Sequence, residues 1–358
     1  MNILVVAPQP FYEERGTPIS TLRLLNALAG LGHAVDILTY PIGREAPDTR
    51  ATVFRSSGLP GIQHVPIGPS WPKVALDIPL TLKLVRLARP GAYDVVHAVE
   101  EAVFPALALA ARHRAKVVYD MDSSLAEQLM DAHPVFRLLR RPIRGMEAWA
   151  LSRSDLVLAV CDDLADQARR AAKSADRVHV LRDVPLEAEP SGEPVDDLRA
   201  LWPTGTKIAL YVGNLVSYQG IDLLLEAVGR LPADCAVGVT MIGGSEGDVA
   251  HYRAQTADRG LENRMRFLGR RPVGDLSAYL AQADLLLSPR TKGGNTPLKV
   301  YSYMAAGKAI LATRITSHTQ VLSDQTARLF DPDPASLADA LQELAVNRDA
   351  RERLGAAA

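Results

Sequence analysis

Short apolar runs alternate along the chain with stretches whose apolar residues recur every three or four positions. The first run, Asn2–Ala7, is almost uninterruptedly apolar, as a strand buried on both faces requires. A polar loop reaches Pro18. Leu22, Leu25, Leu28 and Leu31 then recur at helical spacing, which predicts a helix with that stripe turned to a core and ended by Gly32. Val35–Thr39 reads as the next strand, and Asp94–His97, Lys116–Tyr119, Leu156–Val160 and Arg177–Leu181 as later ones. The rhythm restarts at Ile208–Val212. It continues through Val237–Ile242, Met265–Leu268, Leu285–Leu287 and Ala309–Ala312 to a last helical segment near Pro334–Leu354. Strand followed by helix, repeated, predicts an α/β chain of two doubly wound, Rossmann-like domains. Between the halves, Glu187–Gly205 is rich in proline, glycine and acid, the composition of a linker. The expected division is residues 1–185, a linker over 186–205, and residues 206–358, with a ligand cleft at the carboxyl ends of the strands.

Composition narrows the classes. With 47% hydrophobic and 23% charged residues in 358, the chain is not mainly disordered and is long enough for two cores. Its 40 basic and 41 acidic residues leave a formal charge of -1, which does not recommend a nucleic-acid partner. Two cysteines, Cys161 and Cys235, exclude a disulfide scaffold and a four-cysteine zinc site. The opening MNILVVAPQP lacks the basic segment and long apolar run of a signal peptide, so a cytoplasmic location is expected. Two segments, Trp71–Pro90 and Phe136–Ala150, mix apolar and cationic residues. The first sets Leu76, Leu80, Leu84 and Leu87 beside Lys83 and Arg86. The second gathers Arg137, Arg140, Arg141 and Arg144. Such surfaces suit peripheral contact with anionic headgroups at the inner face of a membrane, or an acceptor phosphate. They equally suit packed helices with a solvated basic face. Pro79 and Pro142 are expected to interrupt helices there.

Three loops carry candidate chemistry. In Glu14-Arg15-Gly16-Thr17, Gly16 permits close backbone approach, and the charged neighbours exceed what a tight turn needs. The glycines of Gly243–Gly247, led by Gly243 and Gly244, admit a phosphate or ribose, or serve a plain turn. Ser288–Thr313 is the richest: Arg290, Lys292, Gly293, Gly294, Asn295 and Thr296 precede a helix from about Pro297 that carries Lys299. Cations and glycine amides there would meet phosphate; the alternative is a plain loop and a solvated lysine. His97 ends a strand beside Glu100 and Glu101 and is a candidate acid or base, or a structural histidine. Of Asp120 and Asp122, one is a candidate for a sugar hydroxyl or for transition-state charge, the other for capping the helix around Ser123–Leu129. No spacing suggests a metal cluster, a nucleophile elbow or a Walker A loop.

The RGTP loop, LGHAVDILTY at Leu31–Tyr40, YVGNLVSYQGIDLLLEA at Tyr211–Ala227 and TPLKVYSYMAAGKAILAT at Thr296–Thr313 together resemble a GT-B glycosyltransferase of the retaining family 4 type. The resemblance spans nearly both halves. It implies a nucleotide-sugar donor as substrate without a further cofactor, and a glycan or lipid-linked acceptor on the first domain. Relatives hold donor phosphates with a glycine loop, which Gly16 matches, and with an arginine and a lysine, whose positions are Asn214 and Gln219 here. Two glutamates separated by seven intervening residues are common; their positions are Gly294 and Ser302. His97 matches the D-V-V-H strand end, and Asp122 lies near a histidine of many relatives. These departures leave a non-catalytic glycan- or nucleotide-binding protein as one alternative, and an epimerase or phosphorylase as another.

Overall fold

Both halves form parallel sheets, and the strand sequences explain why. The runs VGVTMI and AILAT are buried at every position, so helices must cover both faces. The computed structural model describes all residues except Arg15, Pro47, Ile67, His133 and 187–189. The chain folds as two compact units, Met1–Arg182 and Asp183–Ala358.

In the first unit the elements run β1 (Asn2–Ala7), α1 (Gly16–Gly30), β2 (Ala34–Thr39), β3 (Thr52–Arg55), α2 (Trp71–Leu87), β4 (Val95–Val99) and α3 (Val103–His113). They continue with β5 (Lys116–Met121), α4 (Leu125–Ala132), α5 (Arg140–Arg153), β6 (Leu156–Ala159), α6 (Asp162–Arg169) and β7 (Val178–Val180). The sheet order is β3-β2-β1-β4-β5-β6-β7, all parallel, so the strand order reverses between β1 and β4. Leu76, Leu80 and Leu84 of α2, Val103 and Ala106 of α3 and Ala150 of α5 share one core with Leu4, Val6, Val96 and Tyr119.

In the second unit they run β8 (Lys207–Val212), α7 (Ile221–Arg230), β9 (Val237–Ile242), α8 (Glu246–Asp258), β10 (Met265–Gly269), α9 (Leu276–Gln282) and β11 (Leu285–Ser288). There follow α10 (Leu298–Ala305), β12 (Ala309–Thr313), α11 (Thr316–Thr319), β13 (Arg328–Phe330), α12 (Pro334–Val346) and α13 (Arg348–Ala357). The order β10-β9-β8-β11-β12-β13 reverses between β8 and β11. Two cores cover the two faces of this sheet. Residues ahead of β8 belong to one of them. Leu198 and Trp202 are buried, the Trp202 indole donates to Thr240 Oγ1 at 3.1 Å, and Gly238 has no room for a Cβ beside that ring.

Several expectations are corrected. Leu31 lies beyond α1 and is 74% exposed, because the helix ends at Gly30 and the next two residues turn toward β2. Pro79 does not interrupt α2, since the buried Leu76, Leu80 and Leu84 hold the helix across the missing N–H. Pro142 sits in the first turn of α5, where a donor is not required. Strands β3 and β13, four and three residues long, are too short to announce themselves by pattern.

Candidate functional site

In a doubly wound sheet the crevice opens where strand order reverses, at the carboxyl ends of the two diverging strands. In the second unit those ends are Val212 of β8 and Ser288 of β11. Gly213 follows β8 with φ +148, a value that spares glycine strain. A Cβ there would lie 3.0 Å from Lys299 Nζ and 3.2 Å from the Tyr211 hydroxyl. Lys299 reaches this point from the first turn of α10. Its ammonium lies 3.1 Å from Gln219 Oε1 and 3.8 Å from the centroid of the Tyr211 ring. Among the described residues no carboxylate pairs with it. Burial, reinforced by Arg290, drives its pKa well below the ordinary lysine range. Tyr211 is itself fixed, donating to the Asn214 carbonyl at 2.6 Å. Asn214 Oδ1 is buried without a hydrogen-bond partner.

Against Gln219, where the resemblance implies a lysine in relatives, stands a lysine head group from α10. Arg290 has a different task. Its guanidinium donates to the carbonyls of Lys292 (2.6 Å) and Asn295 (3.0 Å) and to Asn295 Oδ1 (2.9 Å), and its carbon lies 5.4 Å from the Tyr218 ring centroid. It clamps the loop in which Gly293 adopts φ +114, where a Cβ would collide with that guanidinium. Lys292 and Gly293 are exposed. The Gly294 carbonyl accepts from Gln320 at 2.9 Å, as does the buried Thr296 Oγ1 at 2.9 Å.

Ser302 is buried at 4% exposure, and its Oγ accepts the Leu186 amide at 2.9 Å. Together with Leu186, Leu280 and Ala306 it lines a cavity of about 240 Å³. Gly243 and Gly244, after β9, have φ +113 and +80. A Cβ on Gly243 would strike the Gly213 carbonyl, so these glycines let the β8 and β9 ends meet. The α8 N-terminus is closed by a capping box in which Ser245 and Asp248 satisfy one another's amides.

The sequence reading missed His318. It is fully buried, 2.8 Å from Ser288 Oγ and 3.0 Å from Thr313 Oγ1, and so ties the ends of β11 and β12 together behind the Arg290 loop. Burial lowers its pKa to about 4, leaving it neutral. No motif flagged it: Thr313 lies five residues before it, but Ser288 is brought to it only by the pairing of β11 with β12.

In the first unit the reversal lies between Ala7 of β1 and Val99 of β4. Gly16 opens α1, and a Cβ there would meet nothing within 4 Å. No protein backbone presses on Gly16, so its expected close approach would be to a ligand alone. Thr17 is half-buried, and Glu14 pairs weakly with Arg44 at 3.9 Å. Arg15 lies outside the described residues. His97 sits inside β4, not at its rim. Val96 and Ala98 belong to the core beneath α2 and α3, so alternation turns His97 to the other face, away from Glu100 and Glu101. There its Nε2 lies 2.8 Å from Asp120 Oδ2. Asp120 is thus the partner of His97. At the start of α4, Ser124 Oγ receives the Glu127 amide (3.3 Å). Asp122 follows β5 and is half-buried.

Glu100 and Glu101 instead share Lys73 of α2, at 3.3 and 2.7 Å, and Ser123 donates to Glu100 at 2.9 Å. Burial works against the Lys73 ammonium, but the two glutamates outweigh it and hold the lysine above its ordinary range. Asp77, accepting from the Tyr40 hydroxyl at 2.6 Å, is pushed up to about 6 by burial. Among the described residues no group of three or more His, Cys, Asp or Glu is placed to hold a metal ion. Nor is any described helix long and apolar enough to cross a membrane.

Comparison with known proteins bears on the fold. Residues 15–182 match the family described as Glycosyltransferase Family 4, and residues 196–358 match Glycosyl transferases group 1. A phosphatidyl-myo-inositol mannosyltransferase of Mycobacterium tuberculosis is 25% identical over 100% of this chain and 91% of its own length. A D-inositol 3-phosphate glycosyltransferase of Corynebacterium diphtheriae is 32% identical over 44% of this chain, a match that spans only 38% of that relative. Among solved structures, sucrose-phosphate synthase of Thermosynechococcus elongatus superposes with a TM-score of 0.77 at 19% identity, covering 99% of this chain and 92% of the other. HepE of Anabaena, in complex with UDP and glucose, does so with 0.74 at 17% identity, covering 100% and 93%. With two reversed parallel sheets and family matches over both halves, the chain belongs to the family 4 glycosyltransferases of GT-B fold.

Proposed function

We propose that the chain moves a sugar, with retention at the anomeric carbon, from a nucleoside diphosphate to a hydroxyl of a glycan or lipid-linked acceptor. The observation that carries the reading is Lys299, half-buried, its ammonium at the β8/β11 crevice with an amide oxygen and an aromatic face around it and, among the described residues, no carboxylate paired with it. A desolvated cation without a counter-charge is unfavourable until an anion arrives, and the donor diphosphate is an anion of the right kind. As the bond from the anomeric carbon to the phosphate oxygen breaks, negative charge grows on that oxygen. A fixed ammonium stabilises it more in the transition state than in the ground state. Gly213, Gly293 and Gly294 add backbone groups without side-chain obstruction, and Arg290 keeps their loop in shape. Asn214 meets the ligand by its carboxamide, where relatives place an arginine. Ser302, bonded to Leu186, supports the crevice wall rather than a ribose.

In the first unit, Asp122 and the α1 entrance around Glu14, Gly16 and Thr17 face the acceptor in this reading, and the His97–Asp120 pair positions the turn that carries Asp122. The likeness to HepE, solved with UDP and glucose, supports a nucleotide-sugar donor, and the likeness to a phosphatidyl-myo-inositol mannosyltransferase favours a lipid-linked acceptor. Incubation with a panel of nucleotide sugars, with and without acceptor, is the test. Donor-specific release of nucleoside diphosphate with a product of unchanged anomeric configuration is expected. Tight nucleotide binding without turnover of any donor would transfer support to a binding protein.

A further inference from the structure

We propose that the outward side of the α2–α3–α5 helical layer is a docking face for an anionic lipid bilayer. Helix α2 is apolar on two opposite sides. Its inner stripe, Leu76, Leu80 and Leu84, is buried in the core. Its outer stripe is Trp71 (76% exposed), Val74 (58%), Ile78 (64%), Leu82 (56%) and Val85 (49%). At the helical repeat these five fall in a sector of about 80°. The stripe is separate from the leucine series of the sequence pattern, which the core consumes. The one carboxylate of α2, Asp77, bonds Tyr40, so the water side of the helix bears no acid, and Arg86 and Arg89 are exposed toward its end.

Helix α3 packs between α2 and α5 in the same layer. Beyond it, Leu138 (85%), Val135 (66%), Met146 (58%) and Trp149 (45%) are exposed. Arg137, Arg140 and Arg144, with Met130 and the carboxylates of Glu127 and Asp131, line a cavity of about 500 Å³. Among the described residues Arg140, Arg141 and Arg144 make no ion pair, and Arg137 lies 3.9 Å from Asp131. With Arg141 beside them, the guanidinium groups outnumber the two carboxylates of this cavity, and aliphatic and indole side chains next to such a cationic excess fit the boundary between acyl chains and anionic headgroups. A two-fold contact with a second copy would instead set this arginine group near its own image. Trp71 lies two residues before Lys73, which reaches Glu100 and Glu101 just past β4. A bilayer on this face would therefore border the carboxyl edge of the first sheet. The step from docking to a membrane-held acceptor rests on the transferase reading; the docking itself does not.

The test is cosedimentation of the full chain with vesicles of phosphatidylcholine alone and mixed with phosphatidylglycerol, with tryptophan emission followed in parallel. Binding only to the mixed vesicles, reversed by salt, with a blue shift as Trp71 and Trp149 leave water, is expected. The pair Ile78→Glu and Leu82→Glu should lower partition on the order of tenfold or more, with melting temperature and donor hydrolysis unchanged. Arg140→Gln with Arg141→Gln should lower it less and weaken its salt dependence. No binding to mixed vesicles, or full binding by the Ile78/Leu82 variant, overturns the proposal. So does a dimer of the parent chain that this variant dissolves, because a second copy would then cover the face. Vesicle binding is read without donor, so failure here and failure of the transferase assay are separate results.

Discussion

Replacing Lys299 with methionine should move two measurements in opposite directions. Methionine keeps the length and apolar stem of the side chain and removes only the ammonium. A charge-assisted bond to phosphate contributes about 1.5–3 kcal/mol, which corresponds to roughly 10–150-fold in affinity. Calorimetric titration with uridine, guanosine and adenosine diphosphates should show that loss for whichever nucleotide the parent binds. In the empty protein the same charge is a burden. Its folded pKa lies well below the unfolded value because of burial and then Arg290, so between the two values the unfolded chain holds the extra proton. Stability therefore rises with pH across that window, and at neutral pH the lysine destabilises the second unit. Methionine removes the dependence. Each kcal/mol recovered should raise the melting temperature by about 2–4 °C for a unit of this size. Nucleotide affinity within twofold of the parent, or a lower melting temperature, would refute the reasoning. The first outcome would return Lys299 to the role of an ordinary helix residue, and the second would make it a structural one.

Gly220→Ala should destabilise by about 1–3 kcal/mol or more in chemical denaturation, because Gly220 has φ +77 and a Cβ would strike the Pro289 carbonyl. His97→Ala leaves Asp120 without its 2.8 Å partner and should lower stability by about 1–3 kcal/mol. His97→Gln, which can still donate, should recover part of that loss, and recovery of turnover without recovery of stability would contradict the positioning role. Asp77 is raised by burial from the usual carboxylate range to about 6, so its contribution to stability is full at low pH and lost as pH rises through about 6. Asp77→Asn should flatten that part of the pH–stability curve, which thermal melts between pH 4 and about 7 would reveal.

Strands such as VGVTMI and AILAT were legible because burial on both faces leaves no polar position to confuse the pattern. The place of the second unit's crevice was legible in outline for the same reason: glycines and cations at the ends of apolar runs fall at the carboxyl edge of a parallel sheet. The roles within it were not. Arg290 and Lys299 look alike as positive charges in one segment, yet one clamps a loop and the other faces the crevice. That difference depends on where Asn295, Tyr211 and Gln219 stand. His97 and Asp120 are 23 residues apart, and only the pairing of β4 with β5 brings them together. The leucine repeat of α2 showed which side of the helix is buried. The second stripe, Trp71 to Val85, was hidden in the same letters, since apolar residues on both sides of a helix erase the contrast that marks either.

The segment before β8 bears on how such chains can be recombined. Ser191 donates to Asp275, the Leu198 amide bonds Gln282, and Asp196 meets Arg271 at 2.6 Å. Trp202 fills a space that Gly238 leaves open and satisfies Thr240. A hybrid that replaced the second unit by cutting at the apparent joint near Thr206 would keep this tryptophan and set it against a foreign socket not shaped for it. Loss of such a buried side chain costs about 3–5 kcal/mol, enough to unfold many domains. Exchange at Asp183 would carry tryptophan and socket together. Inheritance of the second unit as a working part therefore includes the stretch whose composition resembles a spacer.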